Sequence, residues 1–296
     1  MSHIKASLLV LLAAFIWGIA FYFQKIAMDH IGPLQFLGLR ATLAALTLAP
    51  FAYWEARKTI NQNTEVLRYA GLGGALFFVA GAVQQIGIAT ATVTNTGFLT
   101  ALYVVVTPFL IWFIQRQPPS RNVWLAVFVA FLGIWALGGG TLSGFSKGDM
   151  LVAASAIGWS FFMVNVSMAG SLAKPLQITC LTFVVVAVLG WGSSLLFESH
   201  SWGALKSAAP AILYVGVFSS ALTFVLMAIA VRHIPATHAT VLLSTETLFA
   251  AAAGYVMLGE RLKPIGWIGA ALMLSAILLI QLGGKNTKSS EPASSV

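Results

Sequence analysis

The chain has 296 residues, 59% hydrophobic and only 8% charged, a balance that excludes a water-soluble domain with a polar surface. Its net charge of +8 does not mark a nucleic-acid binder, because the basic residues are scattered among the loops without a dense patch. A single cysteine, Cys180, excludes both a disulfide framework and a thiolate metal site.

Crossing a bilayer takes about 20 apolar residues. Ten such spans are predicted, at 7–24, 34–54, 67–87, 93–114, 121–138, 149–168, 176–197, 209–231, 237–258 and 264–282. The first has no cleavage motif and reads as a retained helix. At about 100° per residue its Trp17, Phe21 and Gln24 share one face. The second holds Arg40, which can snorkel or pin helices together. The third adds Phe78, Gln84 and Gln85, and the fourth Asn95, Phe98, Thr100 and Tyr103. In the sixth, Trp159 accompanies Phe162 and Asn165; the ninth carries His238, Ser244, Thr245 and Glu246. The fifth and tenth spans are almost devoid of polar residues, so the others are expected to surround a cavity. Glu246 lies mid-span, where a carboxylate is costly unless it faces protein or water. It either binds a substrate ammonium or a proton, or it bonds to helix ends or to Arg40.

The two halves of the chain echo each other. Pro33-Leu34-Gln35 recurs as Pro175-Leu176-Gln177 (175 − 33 = 142), Trp17 as Trp159 (159 − 17 = 142) and Trp124 as Trp267 (267 − 124 = 143). With the N-terminus inside, ten basic residues fall on the cytoplasmic side, among them Arg57, Arg116, Lys174 and Arg232. Five fall opposite: Lys25, Lys147, Lys206, Arg261 and Lys263. Both termini are therefore predicted to be cytoplasmic. Five spans per half is an odd number, so the second half enters from the opposite face. The expected fold is an all-α polytopic membrane protein of ten transmembrane helices in two inverted five-helix repeats, residues 1–140 and 147–284. A disordered cytoplasmic tail is expected over 285–296. Repeated halves in a membrane are the usual architecture of secondary transporters.

No phosphate-binding loop of an ATP-driven pump is present. Gly144-Phe145-Ser146-Lys147-Gly148 matches the serine-hydrolase string, but in an interhelical loop without the strand-turn-helix that exposes such a serine. Neither catalytic nor metal-ligating residues are expected, and no cofactor. The expected partners are a small-molecule substrate and the lipid bilayer, not nucleic acid.

Several residues resemble the drug/metabolite transporter superfamily in its ten-helix EamA-type branch, over about residues 5–283. They are Trp17-Gly18, Arg40, Thr94-Asn95-Thr96-Gly97-Phe98-Leu99, Ile234-Pro235-Ala236-Thr237, and Leu258-Gly259-Glu260-Arg261-Leu262 with Pro264. The chain departs from the family pattern at Gln117, where the loop glutamate of the first half often stands, and at Thr247, where a proline is common. The resemblance implies an exporter of amino acids, similar metabolites or lipophilic drugs in an inner membrane. The YddG-type exporters of aromatic amino acids are similar to this chain. The candidate substrate-binding residues are Trp17, Phe21, Gln24, Phe78, Gln85, Asn95, Phe98, Thr100, Tyr103, Trp159, Asn165, His238 and Glu246. A broad drug exporter of the same fold is the alternative, and a membrane enzyme a further one.

Overall fold

The computed structural model describes residues 1–57, 64–116, 118–137, 139–140, 146–261 and 264–286. These residues form ten helical segments. They are α1 (His3–Ala27), α2 (Pro33–Arg57), α3 (Thr64–Ile88), α4 (Val93–Gln115), α5 (Arg121–Leu137), α6 (Lys147–Ala169), α7 (Pro175–Phe197), α8 (Trp202–Ala230), α9 (Ala236–Leu258) and α10 (Pro264–Asn286). Eight are long and apolar enough to cross a membrane, and the shorter apolar stretches of α5 and α10 pack against each other to complete ten. α8 begins at Trp202, seven residues before the predicted span (209 − 202 = 7). Lys206 and Ser207 interrupt the apolar run there, yet Ala208 and Ala211 of the same turns are buried. The expected tail beyond residue 286 lies outside the described residues, as do Gln117 and Gly144-Phe145 of the hydrolase-like string. Ser146 of that string is the N-cap of α6: its Oγ accepts from Asp149 N at 3.1 Å, and Asp149 Oδ2 accepts from Ser146 N at 2.7 Å. That is a capping box, not a nucleophile.

Contacts between helix ends sort into two faces. On one, Glu198 at the end of α7 accepts from Leu34 N (2.9 Å) and Gln35 N (2.6 Å) at the start of α2. Glu260 after α9 does the same for Val93 N and Thr94 N of α4, both at 3.0 Å. Lys25 Nζ donates to the last carbonyls of α3 on this face. On the other, Glu55 at the end of α2 accepts from Gln177 N at the start of α7, at 2.8 Å. Each carboxylate satisfies amides that have no partner within their helix and meets the positive end of the helix dipole. Glu55 and Glu198 are themselves one repeat apart (198 − 55 = 143), so α2 and α7 cap each other from opposite faces. The Pro-Leu-Gln echoes thus lie on opposite faces, and the two repeats are inverted.

The packing follows the same pseudo-two-fold. α2 lies against its equivalent α7, and α5 against its equivalent α10, while the α3–α6 interface is matched by α1–α8. The helices α4 and α9 are each interrupted at equivalent points. α4 consists of Val93–Thr100 and Tyr103–Gln115, and α9 of Ala236–Leu243 and Glu246–Leu258. The offset is constant (236 − 93 = 143; 246 − 103 = 143). At both interruptions the backbone tightens to bonds three residues back, Val104 N to Ala101 O and Leu248 N to Thr245 O among them. The second segment of α4 also contains Pro108, which leaves the Val104 carbonyl without its helical amide. In α9 the hydroxyls of Ser244, Thr245 and Thr247 each donate to a carbonyl three residues back. Such local bonds compete with the regular ladder. α8 departs differently, with a π-helical stretch over Tyr214–Leu222.

Candidate functional site

The interruptions and the π-helical stretch meet around a cavity of about 550 Å³, counted to its mouth. Trp17, Phe21 and Gln24 of α1 all line it, joined by Thr100 and Tyr103 of α4, Trp159 of α6 and Glu246 of α9. These are seven of the thirteen candidates. Arg40 and Gln84, together with Phe162, Ser219 and Phe224, complete much of the wall.

The charges are held apart. Arg40 is buried, 5% exposed, and its partners are neutral: Nε donates to Ser220 Oγ at 3.0 Å and an Nη to Gln24 Oε1 at 3.2 Å, with its guanidinium 5.8 Å from the Phe77 ring centre. Among the described residues no carboxylate pairs with it. Glu246 is 2% exposed, and its Oε1 is buried without a hydrogen-bond partner. Tyr103, at the equivalent position in α4, faces it: the two side chains interact with each other, outside ordinary hydrogen-bond geometry, and Trp159 Nε1 also lacks a partner. Buried polar atoms are normally paired. Trp159 Nε1 and the loosely matched Tyr103–Glu246 pair on one cavity wall make a place for an incoming acceptor and donor.

Aromatic rings form the rest of the wall. Trp17 Nε1 donates to the Ser219 carbonyl (2.8 Å) in the π-helical stretch, which also presents Ser220 to Arg40. Trp17 and its repeat equivalent Trp159 both pack on Phe224, with ring centres 4.9 and 6.5 Å away. Phe77, Phe162, Phe183 and Phe224 form a cluster of mostly edge-on rings, 5.1–5.7 Å between centres, beneath them. Gly18 admits the close approach of α1 to the second half of α9. A Cβ there would lie 2.4 Å from Phe249 Cβ and 2.7 Å from the Glu246 carbonyl oxygen. Gly18→Ala is therefore expected to destabilise by about 1–3 kcal/mol through overpacking; an unchanged melting temperature in detergent would contradict this contact.

Six candidates lie elsewhere. Gln85 is buried beside Gln24, whose carbonyl accepts from its Nε2 at 3.5 Å. Phe78 packs on the core cluster, while Phe77, one residue earlier, is fully buried and faces Arg40. Asn95 donates to Asp149 at the start of α6, and Phe98 is buried in a second core cluster. His238 meets His3 edge-on at 5.8 Å, at the end of the bundle. Asn165 lines a second cavity.

Two stretches, residues 4–139 and 146–282, each match the EamA-like transporter family. The chain belongs to that family. Among its relatives are an uncharacterised transporter of Archaeoglobus fulgidus, 26% identical over 95% of this chain and 87% of the relative, and the uncharacterised transporter YwfM of Bacillus subtilis, 28% identical over 97% of both. The threonine/homoserine exporter RhtA of Escherichia coli is 29% identical over 87% of this chain and 83% of its own. A solved crystal structure superposes with a TM-score of 0.77 over 95% of this chain and 98% of the other, at 16% identity, which supports the fold. The chain is thus a multi-pass membrane protein of a transporter family.

Proposed function

We propose that the protein is a secondary exporter of zwitterionic amino acids with an apolar or amphipathic side chain, working by alternating access of its two halves, 1–140 and 147–284. The observation that carries this reading is the central cavity with a guanidinium and a carboxylate that do not pair with each other. A carboxylate group fits Arg40, an ammonium fits Glu246 and the Tyr103 hydroxyl, and the side chain fits among Trp17, Phe21, Trp159 and Phe224. Broken helices at the repeat interface are the usual setting of such a site. RhtA, an exporter of two amino acids, is a relative in keeping with this class.

Counterflow in proteoliposomes tests the reading. Labelled phenylalanine and threonine should enter vesicles preloaded with the unlabelled amino acid and be recovered chemically unchanged. No exchange of either, or conversion to a product, would refute it.

The protein sits in a cytoplasmic membrane with both termini inside, as the basic residues indicate. Ser171 and Ser201 are both exposed, at opposite ends of α7. In a Cys180→Ser background, Ser171→Cys should react from the cytoplasm and Ser201→Cys from the other side. Reaction of Ser201→Cys from the cytoplasm would reverse this orientation.

A further inference from the structure

A second cavity, of about 470 Å³ including its open mouth, lies between α6, α7 and α8 toward the face that carries Lys174 and Arg232. It shares Phe162, Phe224 and Met227 with the central cavity, so these side chains form the partition between the two. Its wall holds Asn165, 5% exposed. The Asn165 Nδ2 donates to the Tyr69 carbonyl at 3.1 Å, which leaves Oδ1 buried without a partner. Gly73 makes room for this amide, since a Cβ there would lie 2.8 Å from Nδ2. An unpaired acceptor in that position calls for a donor. At the other end of the cavity stand the cations Lys174 and Arg232. Glu55 acts electrostatically on both while capping α7 through Gln177 N. The stem of Arg232 lies over Gly170, with Cγ 3.3 Å from a Cβ built there. Gly170 follows Asn165 by 170 − 165 = 5 residues, about 7.5 Å along the helix. The ammonium and carboxylate of an α-amino acid, with a hydrogen bond of about 3 Å at each end, span a gap of that order.

We propose that this second cavity is a loading subsite for a zwitterionic amino acid, with the ammonium at Asn165 Oδ1 and the carboxylate toward Arg232 and Lys174. From there the substrate passes the Phe162–Phe224–Met227 partition into the central cavity. The inference rests on the amino-acid reading of the central site, but it concerns different residues. It predicts two bound molecules per chain.

Equilibrium dialysis of the purified full chain in nanodiscs against labelled L-phenylalanine reads that number. Two sites are expected in the wild type and one in Arg40→Gln, which affects the central cavity. Arg232→Gln and Asn165→Ala should each weaken the other binding step at least ten-fold. Arg232 is exposed, so its variant keeps the fold even if loss of the Asn165–Tyr69 bond does not. A single wild-type site lost in Arg40→Gln and untouched by Arg232→Gln would overturn the subsite and leave the central reading standing. No binding to the wild type would overturn the central reading, and this inference with it.

Discussion

Arg40→Gln and Glu246→Gln are each expected to weaken binding of a zwitterionic amino acid by roughly ten- to 150-fold. A hydrogen bond to a charged group is worth about 1.5–3 kcal/mol, and 1.4 kcal/mol is a factor of ten in affinity. Glu246→Gln preserves side-chain shape while removing the charge, and Arg40→Gln removes the charge with a shorter polar chain. A purely structural role predicts something else: Arg40 bonds to Gln24 and Ser220, so a structural arginine would lower the melting temperature and leave affinity per folded molecule intact. Binding and melting measured on the same preparation separate the two. Arg40→Lys, which keeps the charge but not the planar fork, should retain more affinity than Arg40→Gln. Equal affinity of wild type and both glutamine variants would remove the charges from the site.

The second large effect is expected at the paired tryptophans. Trp17→Ala removes a ring that packs on Phe224 and a donor to the Ser219 carbonyl. Removing a large packed ring costs about 3–5 kcal/mol of stability, so activity is compared per folded molecule. On that basis Trp17→Ala and Trp159→Ala should lose most of their transport, whereas Trp202→Ala, 81% exposed at the start of α8, should retain it. Trp17→Phe keeps a ring and gives up the indole donor, and an intermediate loss is expected. Equal transport by all four variants would contradict the placement of the two indoles on the path.

Much of the cavity was legible from spacing alone. Trp17, Phe21 and Gln24 share a face because helical geometry puts them there, and the 142-residue echo of Trp17 and Trp159 brings both to one ring, Phe224. Arg40 was harder. Its position near the start of a span allowed a snorkelling side chain, and nothing in the sequence announced the π-helical stretch that carries Ser220 to it. Phe78 packs on the core cluster beside Phe77, and α3, apolar nearly all round, gives no stripe from which to choose a face. Asn95 and His238 are polar residues near helix starts, where bonds between helix ends account for them as well as a cavity does. The reciprocal caps of Glu55 and Glu198 were present in the sequence as a 143-residue echo, at the far ends of the two helices that the Pro-Leu-Gln pair opens.

The claim that the cavity recognises both charges of an amino acid is tested most directly by counterflow competition with truncated analogues. Proteoliposomes exchanging labelled phenylalanine would be challenged with unlabelled phenylalanine, with phenethylamine, which lacks the carboxylate, and with 3-phenylpropionate, which lacks the ammonium. Inhibition by phenylalanine alone at equal concentrations, with each analogue at least ten-fold weaker, is the predicted result. Phenethylamine inhibiting and exchanging as well as phenylalanine would contradict the account and make the protein an exporter of hydrophobic cations.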